Sequence, residues 1–460
     1  MLRNLEQHID RNTFSLVSRY YGLKRIFDRI DMDEIINKCK REGLNKYKKD
    51  YNREGDLLSI VGMHIYDMGS VDELHDALSS SQALSCSCNF LKGAPSRSQM
   101  SRDINSMDLE FVIKVFDEVR RTAKKWGVYK ETEHSEALNE LKELGDYLLI
   151  STDASVLILN KGLFPFLKMG HCSLTGKQEY GMKIHVSHCI NADATTALEV
   201  TDADVHETNK FEALITQTIR ACGTIKLVVV MDKGYYDHER FQFLCDAGIY
   251  FVTPRKKYSL KKAVLYPDED IEKTIVDKRV VDGFIKLNGM KTRLRWIRIY
   301  EEGKEEPFEL LTNIFDSPVE VIIAIYGERW PIELLFKDVK QNFGLRQPIG
   351  RTSNAVLFHI YAVFIAYLVL QILRHLLGGE YTGLSMLKFR RELQYSDAFR
   401  IIMPKPPPDG DQTLENGTSI VSPLFYCELF YFFVVMSCLM YSYRVISLKK
   451  GTITFSINPL

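Results

Sequence analysis

Three features that would narrow the function of this 460-residue chain are missing from its sequence. It has no excess of charge, because 60 Lys and Arg residues balance 60 Asp and Glu residues, so any surface for nucleic acid must be made locally. Its nine cysteines include no C-x-x-C pair, which argues against a structural zinc site and indicates reduced thiols. The N-terminal stretch MLRNLEQHIDRNTF lacks the apolar segment of a secretory signal peptide. These absences favour a cytoplasmic protein.

The N-terminal region, residues 1–135, has a helical pattern. Apolar residues recur at intervals of three and four in LLSIVGMHIYDMGSVDELHDAL and in MDLEFVIKVFDEVRRTAKKWG. Between these segments, GAPSRSQMSRDIN supplies a breaker and then a short helix that carries Arg97 and Arg102. This arrangement is similar to one helix-turn-helix element and predicts a DNA-binding region, although a plain helical bundle would give the same pattern.

Residues 145–253 alternate between strand and helix patterns. The apolar run YLLIST ends at Asp153, and the apolar run IKLVVVM ends at Asp232. Helices are expected at 208–221 and 238–247, and a further strand at IYFVTP. The alternation predicts a mixed α/β core with an acidic residue at the end of each of two strands.

Residues 254–312 interrupt this core. Two strand-like segments, FIKL and MKTRLRWIRI, flank Asn288-Gly289, a pair suited to a two-residue hairpin turn. We therefore predict a β-rich insertion. The helical pattern returns over residues 313–400, and the basic run at 254–262 is more typical of a solvated loop than of a binding site.

The stretch YGERWPIELLFKDVK, residues 326–340, carries four polar residues at helical spacing. At roughly 100° per residue, Tyr326, Arg329, Glu333 and Lys340 fall within an arc of about 60°. Gly327 and Pro331 are expected to break or kink the helix near Arg329. The simpler alternative is a surface helix on which Glu333 pairs with the lysine four residues later.

Three carboxylates in these segments have the chemistry of a metal site. If Asp153, Asp232 and Glu333 come together, they repel one another unless cations neutralise them. Their hard oxygen ligands suit Mg²⁺ or Mn²⁺. Two such ions about 4 Å apart could activate a water or a 3′-hydroxyl and stabilise the leaving oxygen in an attack on a phosphodiester. Taken singly, each Asp could equally cap a turn at the end of its strand.

Together the motifs carry a family resemblance. STDAS around Asp153, MDKGYYD around Asp232 and the spacing Y-(2)-R-(3)-E-(6)-K resemble the DDE transposases of bacterial and archaeal insertion sequences, in particular the type-four family. The resemblance covers roughly residues 145–375. It implies an α/β fold with a ribonuclease H-like catalytic core, interrupted by the β-rich insertion and preceded by the α-helical N-terminal domain.

The resemblance also implies the roles of the motif residues. Asp153, Asp232 and Glu333 would be the catalytic residues and would bind two Mg²⁺ or Mn²⁺ ions. Tyr326, Arg329 and Lys340 would hold phosphates near the transposon end.

The implied function is DNA transposition by a cut-and-paste route with a hairpin intermediate. The partners would be double-stranded DNA, as terminal inverted repeats and target, and a second copy of the chain in a synaptic homodimer. The location would be the cytoplasm, in association with the nucleoid. One alternative is a decayed copy that binds DNA without cutting it, and another is a membrane protein.

Two apolar segments raise the membrane alternative. Residues 355–373 contain no Asp, Glu, Lys or Arg and are long enough to span a bilayer, but their place after the Glu helix favours a buried helix. Residues 404–460 are predicted to be a polar, Pro-rich linker followed by an atypical tail, in which Glu428 is the only charge over 424–443. An altered reading frame or read-through after residue 403 is our preferred explanation of this tail.

Overall fold

The computed structural model divides the chain into two compact units, residues 1–403 and 404–460. It describes residues 22–44, 53–129, 147–173, 175–223, 226–256, 260, 263–395, 448–449 and 452–453. In the second unit the described residues form two short antiparallel strands, Leu448–Lys449 and Thr452–Ile453. The apolar segment at 424–443 lies outside the described residues.

The described part of the N-terminal region is helical. Residues 22–29 are helical, and six further helices follow: α1 Met32–Arg41, α2 Arg53–Ile65, α3 Val71–Ser80, α4 Gln82–Ser87, α5 Arg97–Asn105 and α6 Leu109–Lys125. Side-chain oxygens cap several of their first turns. Ser96 accepts a hydrogen bond from the Gln99 amide at the start of α5, and Asp108 accepts one from the Phe111 amide at the start of α6.

A single mixed sheet of eleven strands forms the centre of the first unit. The strands are β1 Tyr147–Ile158, β2 Lys168–Cys172, β3 Lys177–Cys189, β4 Ala194–Asp202, β5 Lys226–Met231, β6 Tyr250–Pro254, β7 Val264–Leu265, β8 Ile271–Ile275, β9 Lys278–Lys286, β10 Leu294–Tyr300 and β11 Phe308–Thr312. Their order is β2-β3-β1-β5-β6-β11-β10-β9-β7, and β4 pairs with β3 while β8 pairs with β9. Helix α7, Phe211–Cys222, precedes β5, and helix α8, His238–Asp246, precedes β6. The prediction of a mixed α/β fold is confirmed.

Strand β1 does not end where the apolar run ends. It continues for five residues beyond Asp153, because β3 runs antiparallel beside it as far as the pair Ile158 and Gly181. Its parallel pairing with β5, in contrast, stops at Thr152 and Met231. Asp153 therefore lies within a strand, at the point where the parallel part of the sheet ends.

Strands β7–β11 extend the same sheet, since β11 pairs antiparallel with β6. The hairpin of β9 and β10 is present, with Ile285 opposite Leu294. The Met290 amide donates to the Leu287 carbonyl around Asn288 and Gly289, and Gly289 has a φ of 84°. The prediction of a two-residue connection was too short, because residues 287–293 separate the strands; the Thr292 amide bonds to Gln242 instead of to the ladder.

The last helices are α9 Val319–Gly327, α10 Pro331–Gln341, α11 Ser353–Leu377 and α12 Met386–Tyr395. In the described part of the chain, α11 is the one helix long and apolar enough to cross a membrane, but it is almost wholly buried. It packs against α2, α6 and β4. Two of its buried polar side chains each have one internal partner: Gln371 accepts from the Thr195 amide, and His359 contacts the Gly344 carbonyl at 3.2 Å. The expectation of a buried core helix at 355–373 agrees with this packing.

Candidate active site

The register of the sheet brings Asp153 and Asp232 together. The last residue pair between β1 and the parallel strand β5 is Thr152 with Met231. Asp153 is the next residue of β1, and Asp232 is the residue that follows β5. Parallel strands end at the same edge of a sheet. Two residues that are 79 apart in sequence are thus neighbours at one edge of the parallel strands.

Asp153 is a carboxyl group in a largely buried setting. Its Oδ1 accepts a hydrogen bond from the Ala154 amide at 2.8 Å, and its Oδ2 lies 3.4 Å from Arg329 Nη1. Burial raises the pKa of Asp153 to about 7, the negative charge of Asp232 adds to the rise, and the Ala154 amide and Arg329 oppose it. The site therefore concentrates negative charge that its own cations only partly neutralise.

The side chain of Arg329 contacts both Asp153 and Glu333. It lies in the break between α9 and α10, and its Nη2 donates to Glu333 Oε1 while its Nη1 faces Asp153. The Arg329 carbonyl accepts a hydrogen bond from Ser151 Oγ at 3.4 Å. The predicted break near Arg329 is present, and it gives this side chain access to β1 as well as to α10.

Tyr326 lies on a different helix from Glu333 and Lys340. It belongs to the last turn of α9, where its ring packs 5.5 Å from that of Phe308. Burial raises the pKa of Tyr326, and the Arg329 guanidinium opposes that rise. The expected break between Gly327 and Pro331 means that the four polar residues do not share one continuous helix, and the arc drawn for a single helix does not apply. Tyr326 and Arg329 nevertheless remain in contact.

Lys340 is buried and bonds within the chain. Its Nζ donates to Ser155 Oγ at 2.6 Å and to the Val156 carbonyl at 2.9 Å. Burial lowers the pKa of this amine to about 8. Lys340 thus attaches α10 to the part of β1 that follows Asp153.

Comparison with known proteins identifies the segment that contains this site. Residues 162–369 match the family described as the transposase DDE domain. This segment of the chain is similar to a transposase DDE domain. The matched residues include Asp232 and Glu333 and begin after Asp153, and the resemblance seen in the three motifs is confirmed at the level of DDE transposases.

Curated relatives of the chain have transposase names. The chain is 31% identical over 197 residues to a putative transposase, y4zB, of Sinorhizobium fredii (42% of the chain, 53% of the relative). It is 30% identical over 174 residues to the putative transposase of insertion sequence element IS4SA of Synechocystis sp. (36% and 46%). It is 28% identical over 149 residues to the probable transposase of element IS5377 of Geobacillus stearothermophilus (31% and 38%). The chain spans about half the length of these relatives or less.

Among solved structures, the chain aligns with a piggyBac transposase in a synaptic complex with hairpin DNA. The TM-score is 0.41 at 13% identity, over 83% of this chain and 80% of the other. A likeness of this size does not by itself identify a fold.

The carboxylates of Asp153, Asp232 and Glu333 suit a divalent cation in their chemistry. Carboxylate oxygens are the ligands that Mg²⁺ and Mn²⁺ prefer, and Asp153 and Asp232 provide them side by side. As they stand, no three His, Cys, Asp or Glu side chains in the described ranges converge closely enough to hold an ion. Glu333 is turned toward Arg329, so it would have to exchange this partner to join the two aspartates.

Two features near Asp232 were not predicted from the sequence. The hydroxyl of Tyr235 is fully buried and has no hydrogen-bond partner in the described part of the chain, and Glu207 lies against Gly234. Gly234 and Tyr235 belong to the MDKGYYD motif, so the motif includes the turn that carries both features. Nothing in the sequence around Glu207 indicated its position.

The two N-terminal arginines predicted to bind DNA lie on α5, outside the matched residues 162–369. Arg97 pairs with Asp76 and lies 3.6 Å from Asp72, and its side chain is 54% exposed. Arg102 is exposed and donates to Gln99 of the same helix at 2.9 Å. The charge of Arg97 is therefore largely compensated by acidic neighbours, whereas Arg102 contacts only a neutral amide among the hydrogen bonds described.

Proposed function

We propose that this chain is the transposase of an insertion sequence, which binds the terminal inverted repeats of its element, cleaves them and joins them to target DNA. The observation that carries the proposal is the adjacency of Asp153 and Asp232 where the parallel pairing of β1 and β5 ends, with Glu333 connected to Asp153 through Arg329. This arrangement lies in and next to a transposase DDE domain. The activity is metal-dependent phosphodiester hydrolysis followed by strand transfer.

The strand order supports a ribonuclease H-like catalytic core. Strands β1, β5 and β6 run parallel, while β3 and β4 extend the sheet antiparallel on the other side of β1. This gives the order β4-β3-β1-β5-β6, and α7 connects the antiparallel half to β5. Strands β7–β11 then separate β6 from the helices that carry Arg329 and Glu333. In this proposal residues 145–253 and 313–400 form the core and 254–312 the insertion.

Asp153, Asp232 and Glu333 would hold the divalent cations, two Mg²⁺ or Mn²⁺ ions. When bound, such ions lower the pKa of an attacking water and stabilise the leaving oxygen of a phosphodiester. Arg329 keeps Glu333 and Asp153 in place through its two hydrogen-bonding nitrogens. Its release from Glu333 would free both a carboxylate and a guanidinium for the reaction.

Tyr326, Arg329 and Lys340 would bind phosphates at the cleaved transposon end, where charge-assisted hydrogen bonds are strong. Tyr326 and Arg329 already lie together beside the aspartates. For Lys340, this role requires that the amine leaves Ser155 and the Val156 carbonyl when DNA arrives.

End recognition would belong to the N-terminal helices of residues 1–135, with Arg97 and Arg102 as candidate contacts. The synaptic complex would be a homodimer. The burial of α11 supports a cytoplasmic, nucleoid-associated protein, because its apolar surface is already covered by α2, α6 and β4.

The test is strand nicking on DNA that carries the inverted repeats flanking the coding region. The full chain with Mg²⁺ is expected to nick the labelled end at the repeat boundary, and Asp232→Asn is the matched inactive control. Specific binding of the repeats without nicking would instead indicate a decayed copy. Absence of both would disprove the proposal.

A further inference from the structure

A fourth carboxylate lies beside the turn that follows Asp232. This turn is the short 3₁₀ segment Lys233–Tyr235. A Cβ atom placed on Gly234 would lie 1.8 Å from Glu207 Oε2, so the carboxylate occupies the space that any side chain at position 234 would need. Glycine is therefore required for Glu207 to approach the turn this closely.

Glu207 is only weakly paired with a cation. Its ion pair in the described part of the chain is with Lys183, whose Nζ is 3.9 Å from Glu207 Oε1. The same Nζ donates to the Val205 carbonyl at 2.8 Å. The shorter bond goes to a neutral group, so the charge of Glu207 is poorly compensated.

Tyr235 is close enough to the same carboxylates to be affected by their charges. Burial raises the pKa of this phenol well above its usual range, and Asp153, Glu207 and Asp232 raise it further. The side chain is fully buried, and its hydroxyl has no partner within the described ranges. An unsatisfied buried hydroxyl is costly, and this cost would be removed by an oxygen-rich ligand between the carboxylates, such as a hydrated cation.

We propose that Glu207 is a positioning residue of the active site, which holds the hydration shell of a divalent cation bound by Asp153 and Asp232, with the Tyr235 hydroxyl directed at the same shell. The inference rests on the proposed function, from which it takes the cation. It assigns Glu207 to the outer shell, because the proposed function already gives the direct ligand positions to Asp153, Asp232 and Glu333. Outer-shell partners orient the ligands of a metal ion and tune its affinity.

The experiment is a titration of the full chain with Mn²⁺ in the absence of DNA, with free Mn²⁺ followed by electron paramagnetic resonance. Glu207→Gln is expected to weaken Mn²⁺ binding by about tenfold. Gly234→Ala should have a similar effect, because its methyl group would displace the Glu207 carboxylate. Tyr235→Phe should weaken binding as well, and Glu207→Asp, which keeps the charge, should weaken it less than Glu207→Gln.

The matched control is Glu212→Gln, which neutralises an exposed glutamate on the neighbouring helix α7 and is expected to bind Mn²⁺ like the parent. Thermal unfolding without Mn²⁺ should be the same for Glu207→Gln and the parent. Parent-like Mn²⁺ affinity in both Glu207→Gln and Gly234→Ala would overturn the inference. A loss of thermal stability without metal in Glu207→Gln would do so too, because it would give Glu207 a structural role through Lys183.

Failure of this inference can be separated from failure of the proposed function. If Asp153→Asn and Asp232→Asn lose Mn²⁺ while Glu207→Gln does not, only the role of Glu207 is wrong. If the parent chain binds no Mn²⁺, both proposals fail.

Discussion

Arg329 Nη1 lies 3.4 Å from Asp153 Oδ2, although 176 positions separate the two residues in the chain. The contact joins the loop before α10 to the strand that carries the first acidic residue. Arg329 is one of the groups that oppose the rise of the Asp153 pKa, while burial and Asp232 drive it upward. The protonation of Asp153 near neutral pH therefore depends on this arginine.

We expect the pH dependence of cleavage to report this contact. Only the ionised carboxylate of Asp153 can bind a cation, and its pKa is raised to about 7, so the cleavage rate should fall as the pH drops through that region. Arg329→Ala removes a positive charge and should move the acidic limb to higher pH by about one unit. Single-turnover nicking from pH 6 to 9 measures this shift. Lys337→Ala is the control. If the acidic limb has the same midpoint pH in the parent, Arg329→Ala and Lys337→Ala, Arg329 does not influence the pKa of Asp153 as proposed.

The three acidic residues are expected to be separately essential for cleavage. Asp153→Asn, Asp232→Asn and Glu333→Gln should each reduce nicking of a transposon end by at least about a hundredfold, because each removes a charged ligand. Binding of the uncut end should be largely unchanged. Gel-shift and nicking assays on one labelled end measure the two properties, and near-parent cleavage by any variant would exclude that residue from the metal site.

The salt dependence of DNA binding distinguishes two roles for Arg329 and Lys340, which are contact with DNA phosphates and bonding within the protein. Arg329→Ala and Lys340→Ala should each weaken binding to cleaved ends and lower the slope of log affinity against log salt by about one unit. Lys337 is exposed on α10, and Lys337→Ala should change neither property. Binding titrations at four salt concentrations measure the slopes. If Lys340→Ala loses stability but keeps the parent slope, its amine serves only to hold Ser155 and Val156.

A pH-dependent stability is expected from Asp56 on α2. The side chain is fully buried, and its two carboxylate oxygens have no hydrogen-bond partner in the described part of the chain. Burial, with a contribution from Asp103, raises the pKa of Asp56 to about 8. A carboxyl group whose folded pKa is raised favours the folded state at low pH, and this contribution is lost as the pH rises toward the folded pKa.

The test of Asp56 is Asp56→Asn, which cannot ionise. Between pH 5 and 8 the parent should lose stability relative to the variant as the pH rises. The difference in the free energy of unfolding, variant minus parent, should increase by about 1 kcal/mol per pH unit. Urea unfolding at pH 5, 6, 7 and 8 measures the difference. Asp268→Asn, at an exposed position, is the control, and a constant difference between Asp56→Asn and the parent would contradict the expectation.

Among the N-terminal arginines, Arg102 is expected to matter more for end recognition than Arg97. Arg97 is held by Asp76 and Asp72, so it would have to break these pairs before it could bind a phosphate or a base. Arg102→Ala should reduce the ratio of affinities for the inverted repeat and for random duplex, with a loss of about 1–3 kcal/mol if it reads a base. Arg97→Ala should have a smaller effect. Competition binding with both duplexes measures this ratio. If the ratio is the same for Arg102→Ala and the parent, Arg102 does not take part in end recognition.

The sequence predicted those parts of the site that depend on local pattern. Asp153 and Asp232 each follow an apolar run, and the break at Gly327 and Pro331 follows from backbone chemistry alone. The continuation of β1 beyond Asp153 could not be predicted, because it depends on pairing with β3. The same holds for the bond from Lys340 to Ser155, which spans 185 positions, and for Glu207 beside Gly234. Each of these contacts is fixed by tertiary packing and leaves no periodic signal.

Helix α11 lies against both α2 and α6 of the N-terminal region and against β4 of the sheet. Its apolar side chains therefore belong to one continuous core that joins the N-terminal helices to the sheet. A chimaera that exchanged only the N-terminal region with that of a relative would have to match this buried surface residue by residue. New end specificity should thus be easier to obtain by substitutions on the exposed side of α5 than by transplanting the whole region.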